Sequence, residues 1–90
     1  MAFEWDQGKS TANKEKYGID FDTARMLWSD DNRLEIQVPY PVEERWILIG
    51  KIDNRLWTAV FTVRSSLVRI ISIRRSRKKE TDLYEEKIIC

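Results

Sequence analysis

Seven cations and no acid lie between Arg64 and Lys79 of this 90-residue chain, and five of the six residues from Arg74 to Lys79 are basic. Guanidinium groups grip phosphate oxygens two at a time and stay charged at any working pH, which makes Arg64, Arg69, Arg74, Arg75 and Arg77 a local store of anion-binding groups. The imbalance is regional. Residues 1–45 hold six Lys and Arg against ten Asp and Glu, residues 46–90 hold ten against five, and the whole chain is only +1. A near-neutral protein can therefore carry one strongly basic face. The plainer reading of "RRSRKK" is a solvated helix start or a nonspecific polyanion patch, and composition alone favours it.

Other chemistries are limited by what the chain lacks. It has no His, and its one Cys, Cys90, is the last residue. That removes a disulfide framework, a zinc-finger spacing, a Cys–His nucleophile pair and a Ser–His–Asp triad within this chain. No metal site and no cofactor are expected. With 42% hydrophobic and 34% charged residues, four Trp among them, residues 1–90 are expected to form one small globular domain. A domain of this size buries a modest share of its surface, so a partner chain covering apolar or charged surface is in keeping with it. The start, "MAFEWDQGKST", has no basic segment followed by an apolar run, and no stretch approaches a membrane span, so a cytoplasmic protein is expected.

The elements that must position the cations are legible from periodicity. Lys9 to Lys16 has a helical composition, with Gly18 placed to end the helix in a left-handed conformation. A second short helix follows, N-capped by Asp20 or Asp22, with Phe21, Ala24, Leu27 and Trp28 forming one apolar stripe. From Arg33 the period becomes that of strands. "RLEIQV" alternates and is closed by Pro39 and Pro41; "ERWILIGKI" and "RLWTAVFTVR" are joined by a tight "DN" turn; "LVRIISIRR" is reached through Ser65–Ser66. "SRKKETDLYEEKI" suits a C-terminal helix. The sum is an α+β fold with two N-terminal helices, an antiparallel sheet of three to four strands and a C-terminal helix, the helices gathered on one face. Trp46 and Trp57, on adjacent strands, are expected to form a cross-strand or core pair.

These blocks also resemble a known family. "FEWDQGKSTANKEKYGIDFDTA" is similar to the N-terminal signature of BrnT-type toxins, which runs FEWD, a Lys, an Asn, K-H-G, an aromatic and an Ala. "EERWILIG", "RLWTAVFT" and "RIISIRRSRKKE" followed by a Tyr resemble that family's later blocks, in order and at matching spacing, so the likeness runs from Phe3 to Tyr84. It implies a RelE-like fold and a ribonuclease toxin of a type II toxin–antitoxin pair that cuts RNA and slows translation and growth. It also implies a BrnA-like antitoxin whose DNA-binding end is of ribbon-helix-helix type, with operator DNA bound only through the complex. Direct DNA binding by this chain alone has no helix-turn-helix signature behind it.

On that resemblance, the site is expected among the cations and their neighbours. Cleavage of RNA without metal needs a proton acceptor for the 2′-hydroxyl, cations for the pentacovalent phosphorane and an acid for the leaving 5′-oxygen. Arg64, Arg74 and Arg75 are the candidates for phosphate, with Glu80 and Tyr17 for proton transfer. Trp5, Lys9, Arg69, Arg77, Lys78 and Tyr84 are candidates for holding RNA, Trp5 by stacking on a base. Glu4 and Asp6 are further candidates from the N-terminal block. Tyr17 departs from the family pattern, standing where a His is usual; a His titrates near neutrality and a Tyr ordinarily near pH 10, so the exchange leaves a slower catalyst, a lost activity or a structural position as alternatives.

Strand parity limits which cations act together. In a regular strand Arg69, Ile71, Ile73 and Arg75 share one face, and Ile70, Ser72 and Arg74 the other, unless the strand ends or bulges. One cluster is therefore expected around Arg64 and Arg69, a second around Arg74, Arg75 and the helix start. Each residue has a plainer role too: Trp5 in the core, Lys9 and Asn13 on a solvated helix face, Glu80 as a partner for nearby Lys and Arg, Glu43 and Glu44 as partners for Arg45.

Overall fold

The computed structural model describes residues 2–39 and 44–89. Pro41, Glu43 and Cys90 lie outside the described residues. The element order is β1 (Ala2–Glu4), α1 (Gln7–Tyr17), α2 (Phe21–Ala24), a 3₁₀ turn (Arg25–Ser29), β2 (Leu34–Val38), β3 (Arg45–Ile52), β4 (Arg55–Arg64), β5 (Leu67–Arg75) and α3 (Lys78–Ile89). The fold is α+β, as the periodicities require. No helix among the described residues is long and apolar enough to cross a membrane.

The sheet has five strands in the order β1-β5-β4-β3-β2. It is mixed rather than antiparallel, because β1 pairs in parallel with β5 through Ala2, Phe3 and Glu4. Three residues are too few to show a strand period, and β1 is held by its partner and by Phe3, whose ring meets Trp28 edge-on at 5.1 Å. The two hairpins turn on Asp53–Asn54 and Ser65–Ser66, all four at positive φ. Two consecutive positive φ values are those of type I′ turns, whose twist matches the flanking strands.

A bulge in β5 reverses the parity expected from the sequence. Val60 pairs with Ser72 and Phe61 with Ile70, which leaves Ile71 without a partner. Ile70 and Ile73 are thereby both buried on one face, at 1% and 0% exposure. Arg69, Ser72 and Arg74 share the opposite face, and Arg75 lies with Ile73. The apolar run "IISI" offers buried side chains to either register, so alternation alone could not place the slip.

The helices also divide between the faces instead of sharing one. The Phe21, Ala24 and Leu27 stripe packs with Leu48, Ala59, Phe61, Val68, Ile70 and Ile73. At Gly50 the 3₁₀ turn lies so close that a Cβ would meet the Leu27 Cδ2 at 3.1 Å. On the opposite face α3 covers Ile49 and Thr58, both fully buried. Trp46 and Trp57 are not a pair: Trp46 is opposite Phe61 and stacks on it at 6.4 Å, while Trp57 is opposite Gly50.

Helix α1 is joined to the core by polar side chains. Asp6 caps it by accepting from the Lys9 N–H, and Gly18, at φ 83°, ends it. Asn13, expected on a solvated face, is 7% exposed. Its Nδ2 donates to the Ile19 carbonyl at 2.8 Å, and its Oδ1 accepts from the Ile73 N–H at 3.1 Å. Ile73 is on the part of β5 beyond β1, so Asn13 satisfies an amide that would otherwise be left on a covered sheet edge. The Ser10 hydroxyl likewise accepts from the Phe21 N–H at 2.9 Å. The second turn is less well served, because Ser65 and Ser66 hold positive φ without glycine's freedom. Replacing them with Asn-Gly is expected to stabilise the fold by about 1 kcal/mol and raise the melting temperature by about 4–8 °C. A calorimetric scan with an unchanged or lower midpoint would contradict the type I′ assignment.

Candidate functional site

Where β5 hands over to α3, one carboxylate gathers the surrounding donors. Arg74 Nη1 and Nη2 donate to Glu80 Oε1 and Oε2, both at 2.7 Å. Glu80 Oε1 also accepts from the Arg77 N–H at 2.8 Å and from the Thr58 hydroxyl at 3.1 Å. Arg77 is the residue before α3, and Glu80 is the helix's third, so the Arg77 contact is half of a capping box that satisfies an orphan helical N–H. Thr58 Oγ1 lies 2.9 Å from Ser76 Oγ, which ties β4 to the same junction.

The electrostatics follow from this geometry. Burial works against the Glu80 charge, but Arg74, the Arg77 N–H and Thr58 outweigh it and hold the carboxyl at about 2, down from 4.5. At neutral pH Glu80 is an anion with its oxygens occupied, which suits a positioning group and not a general acid. The bond to Glu80, reduced by burial, raises Arg74 above the ordinary arginine value, with a smaller Coulombic contribution from Tyr17.

Arg74 is not exhausted by Glu80. Its end-on fork, Nη1 and Nη2, faces the carboxylate, and the other Nη1 hydrogen reaches the Arg75 carbonyl at 3.3 Å. The Nε–H and the second Nη2 hydrogen have no partner among the described residues. Together they form the side-on fork that matches two oxygens of a phosphate. Tyr17 stands at the end of α1, 38% exposed, with Lys16 Nζ 5.2 Å from its ring centre. The site therefore brings together Arg74, Glu80 and the Arg77 amide, with Tyr17 near enough to act on the Arg74 charge.

Other sequence candidates lie elsewhere. Arg75 is on the opposite face, its guanidinium 5.4 Å over the Trp57 ring. Arg64 and Arg69 are diagonal neighbours at the far end of the Arg74 face, and Arg69 pairs with Glu4 at 3.6 Å. Lys78 is exposed and paired with Asp82 at 3.2 Å. Lys9 is exposed on α1, near its capping Asp6. Trp5 packs partly buried against the core, its Nε1 donating to Gln7.

Tyr84 is a correction to the exposed set. It is 2% exposed, and its hydroxyl donates to Asp30 Oδ2 at 2.6 Å, so its ring presents no face to a base. Burial and the Asp30 bond push its hydroxyl up to about 12. Asp30 also accepts from the Lys51 and Asn32 N–H groups, which with Tyr84 outweigh its burial and lower its pKa. Sequence reasoning missed Asp30, Thr58 and Ser76. The available signal was Thr58, a hydroxyl midway along the otherwise apolar "LWTAVF".

A small α+β scaffold that fixes an arginine fork at a strand–helix junction, with a basic helix start beside it, has the make-up of a protein that handles a phosphate polymer. The family described as "Ribonuclease toxin, BrnT, of type II toxin-antitoxin system" matches residues 5–80. The chain belongs to that family. An antitoxin partner follows from the family's type. No curated protein matches the chain.

Stability should depend on pH at both extremes. Glu80 and Asp30 have folded pKa values below their unfolded ones, so their contribution is complete above about pH 4.5 and fades as pH falls, for Glu80 through about 2. Tyr84 is raised, so its contribution is complete below pH 10.0 and is lost as pH rises through about 12. Urea midpoints across this range are expected to show both limbs. Glu80→Gln should cost about 2 kcal/mol at pH 7 and flatten the acid limb. A Glu80→Gln protein with the wild-type acid slope would contradict the assignment.

Proposed function

We propose that this chain is a metal-independent endoribonuclease toxin. The observation that carries the reading is the side-on fork of Arg74, held in place by Glu80. The fork would bind the scissile phosphate and stabilise the charge that builds on the phosphorane. Arg77 and Lys78, at the start of α3, would draw in the RNA backbone, with Arg69 and Arg64 holding it further along the same face.

Tyr17 is the proton-transfer group of this proposal. Its hydroxyl would exchange a proton with the 2′-hydroxyl or the leaving 5′-oxygen. Glu80 takes no proton in this scheme and serves by fixing Arg74. Arg75 and Tyr84 are left out of the chemistry, Arg75 by its face and Tyr84 by its burial. The partner would be a BrnA-like antitoxin with a ribbon-helix-helix end that carries the complex to operator DNA. An acidic segment of it covering Arg74, Arg77 and Lys78 would block RNA and stabilise the small fold by binding only its native state.

Tyr17 also favours a second reading. The family usually has His here, so a chain with Tyr can be a toxin-like module that binds antitoxin or RNA without cutting. Cleavage of a fluorescent RNA in EDTA separates the two. The first reading expects wild-type cleavage, a loss of about a hundredfold or more in Tyr17→Phe, and activity retained or raised in Tyr17→His. Wild-type rates in Tyr17→Phe would remove Tyr17 from the chemistry, and cleavage only after adding a divalent metal would contradict metal independence. Silence from the wild type with cleavage by Tyr17→His would establish the second reading. Circular dichroism on each variant confirms that the fold is kept.

A further inference from the structure

The face of the sheet that carries Arg75 holds a cleft that the catalytic proposal does not use. Arg55 and Trp57 are two apart on β4, and Arg75 is the cross-strand partner of Trp57. All three point to one face, with the Arg75 guanidinium over the Trp57 ring. The adjoining cleft measures about 390 Å³. Its floor is apolar and closed, with Ile19, Ile52 and Trp57 at 5%, 8% and 8% exposure. Its rim is polar, set by Thr23, Asp53 and Arg55.

The size and chemistry limit the occupant. Ligand sites run from about 300 to 1,000 Å³, so this one admits a group near the small end of the range. The floor offers a small apolar contact, and the rim offers a hydroxyl, a carboxylate acceptor and a guanidinium donor. One further cation, Arg75, lies over Trp57 on the same face. Apolar contact to a ring, polar contacts to its edge and guanidinium groups beside it are the needs of one unpaired base and its flanking phosphates. Gly18, which also lines the cleft, follows Tyr17 directly, so the cleft adjoins the proposed catalytic corner.

Resting on the ribonuclease reading, we propose that this cleft is a nucleotide subsite. It takes one unpaired base of single-stranded RNA next to the scissile phosphate. Arg55 and Arg75 hold the flanking phosphates, and Thr23 and Asp53 read the base edge. Base preference at the cut is then set on this face, and the rate of cutting at the Arg74 corner.

The test titrates ¹⁵N-labelled full-length protein with non-cleavable 2′-O-methyl trinucleotides of each base. Saturating shifts are expected at the amides of Gly18, Asp53 and Asn54 and at the Trp57 indole, with one base preferred. Arg55→Ala, a change at an exposed residue, should weaken binding about tenfold, lower the salt slope by about one and flatten the base preference at the cut. Shifts confined to Arg74, Arg77 and Lys78 would overturn the subsite and leave the ribonuclease reading in place. Absence of any shift, together with absence of cleavage of an ordinary RNA, would overturn both. A cleft silent to RNA that responds to purified antitoxin would assign it to the partner and overturn the proposal.

Discussion

The carboxylate of Glu80 joins parts of the chain that nothing else brings to one point. It orders the Arg74 side chain at the end of β5, closes the exposed amide at the start of α3 and reaches Thr58 in the middle of β4. Hydrogen bonds to a charged group contribute about 1.5–3 kcal/mol each, and their partners here are only 23% and 13% exposed for Arg74 and Glu80. Removing either charge would leave the other partly buried without its counter-ion. The same contact that fixes α3 therefore decides which donors Arg74 has left.

That contact exists because β5 slips by one residue. Without the bulge at Ile71, Arg74 would point to the face of α1 and α2, and Ile73 would lie under α3. With it, consecutive arginines divide between the faces: Arg74 goes to the carboxylate and Arg75 to the Trp57 ring. The proposed chemistry and the proposed base contact are thus the two outlets of one strand end. Asn13 belongs to the same arrangement, since its bond to the Ile73 N–H secures the edge of β5 just beyond the bulge.

Period and turn chemistry made much of this legible. Strands β2 to β5, the Asp53–Asn54 turn, Gly18 as the end of α1 and the Phe21–Leu27 stripe all follow from local rules that act within a few residues. What was hidden depends on partners distant in the chain. The three residues of β1 are a strand only beside Leu67–Arg69. Ser10 and Asn13 read as polar helix surface until the Phe21 and Ile73 amides meet them. Tyr84 and Glu80 share a helical spacing, but only the packing of α3 buries one against Asp30 and locks the other to Arg74. Separation of the Arg64–Arg69 pair from the Arg74 corner was legible from antiparallel order; alternation allowed Arg74 and Arg75 to part, but Arg75, expected in one cluster with Arg74 and the helix start, lies on the other face.

The central claim is that Arg74 acts through two forks, one on Glu80 and one on phosphate, and not through charge alone. Arg74→Lys tests it directly, because lysine keeps the cation and has neither fork. With RNA binding and fold monitored in parallel, the account predicts that Arg74→Lys still binds RNA with a similar salt dependence but cleaves it about a hundredfold or more slowly. Cleavage at the wild-type rate would contradict it.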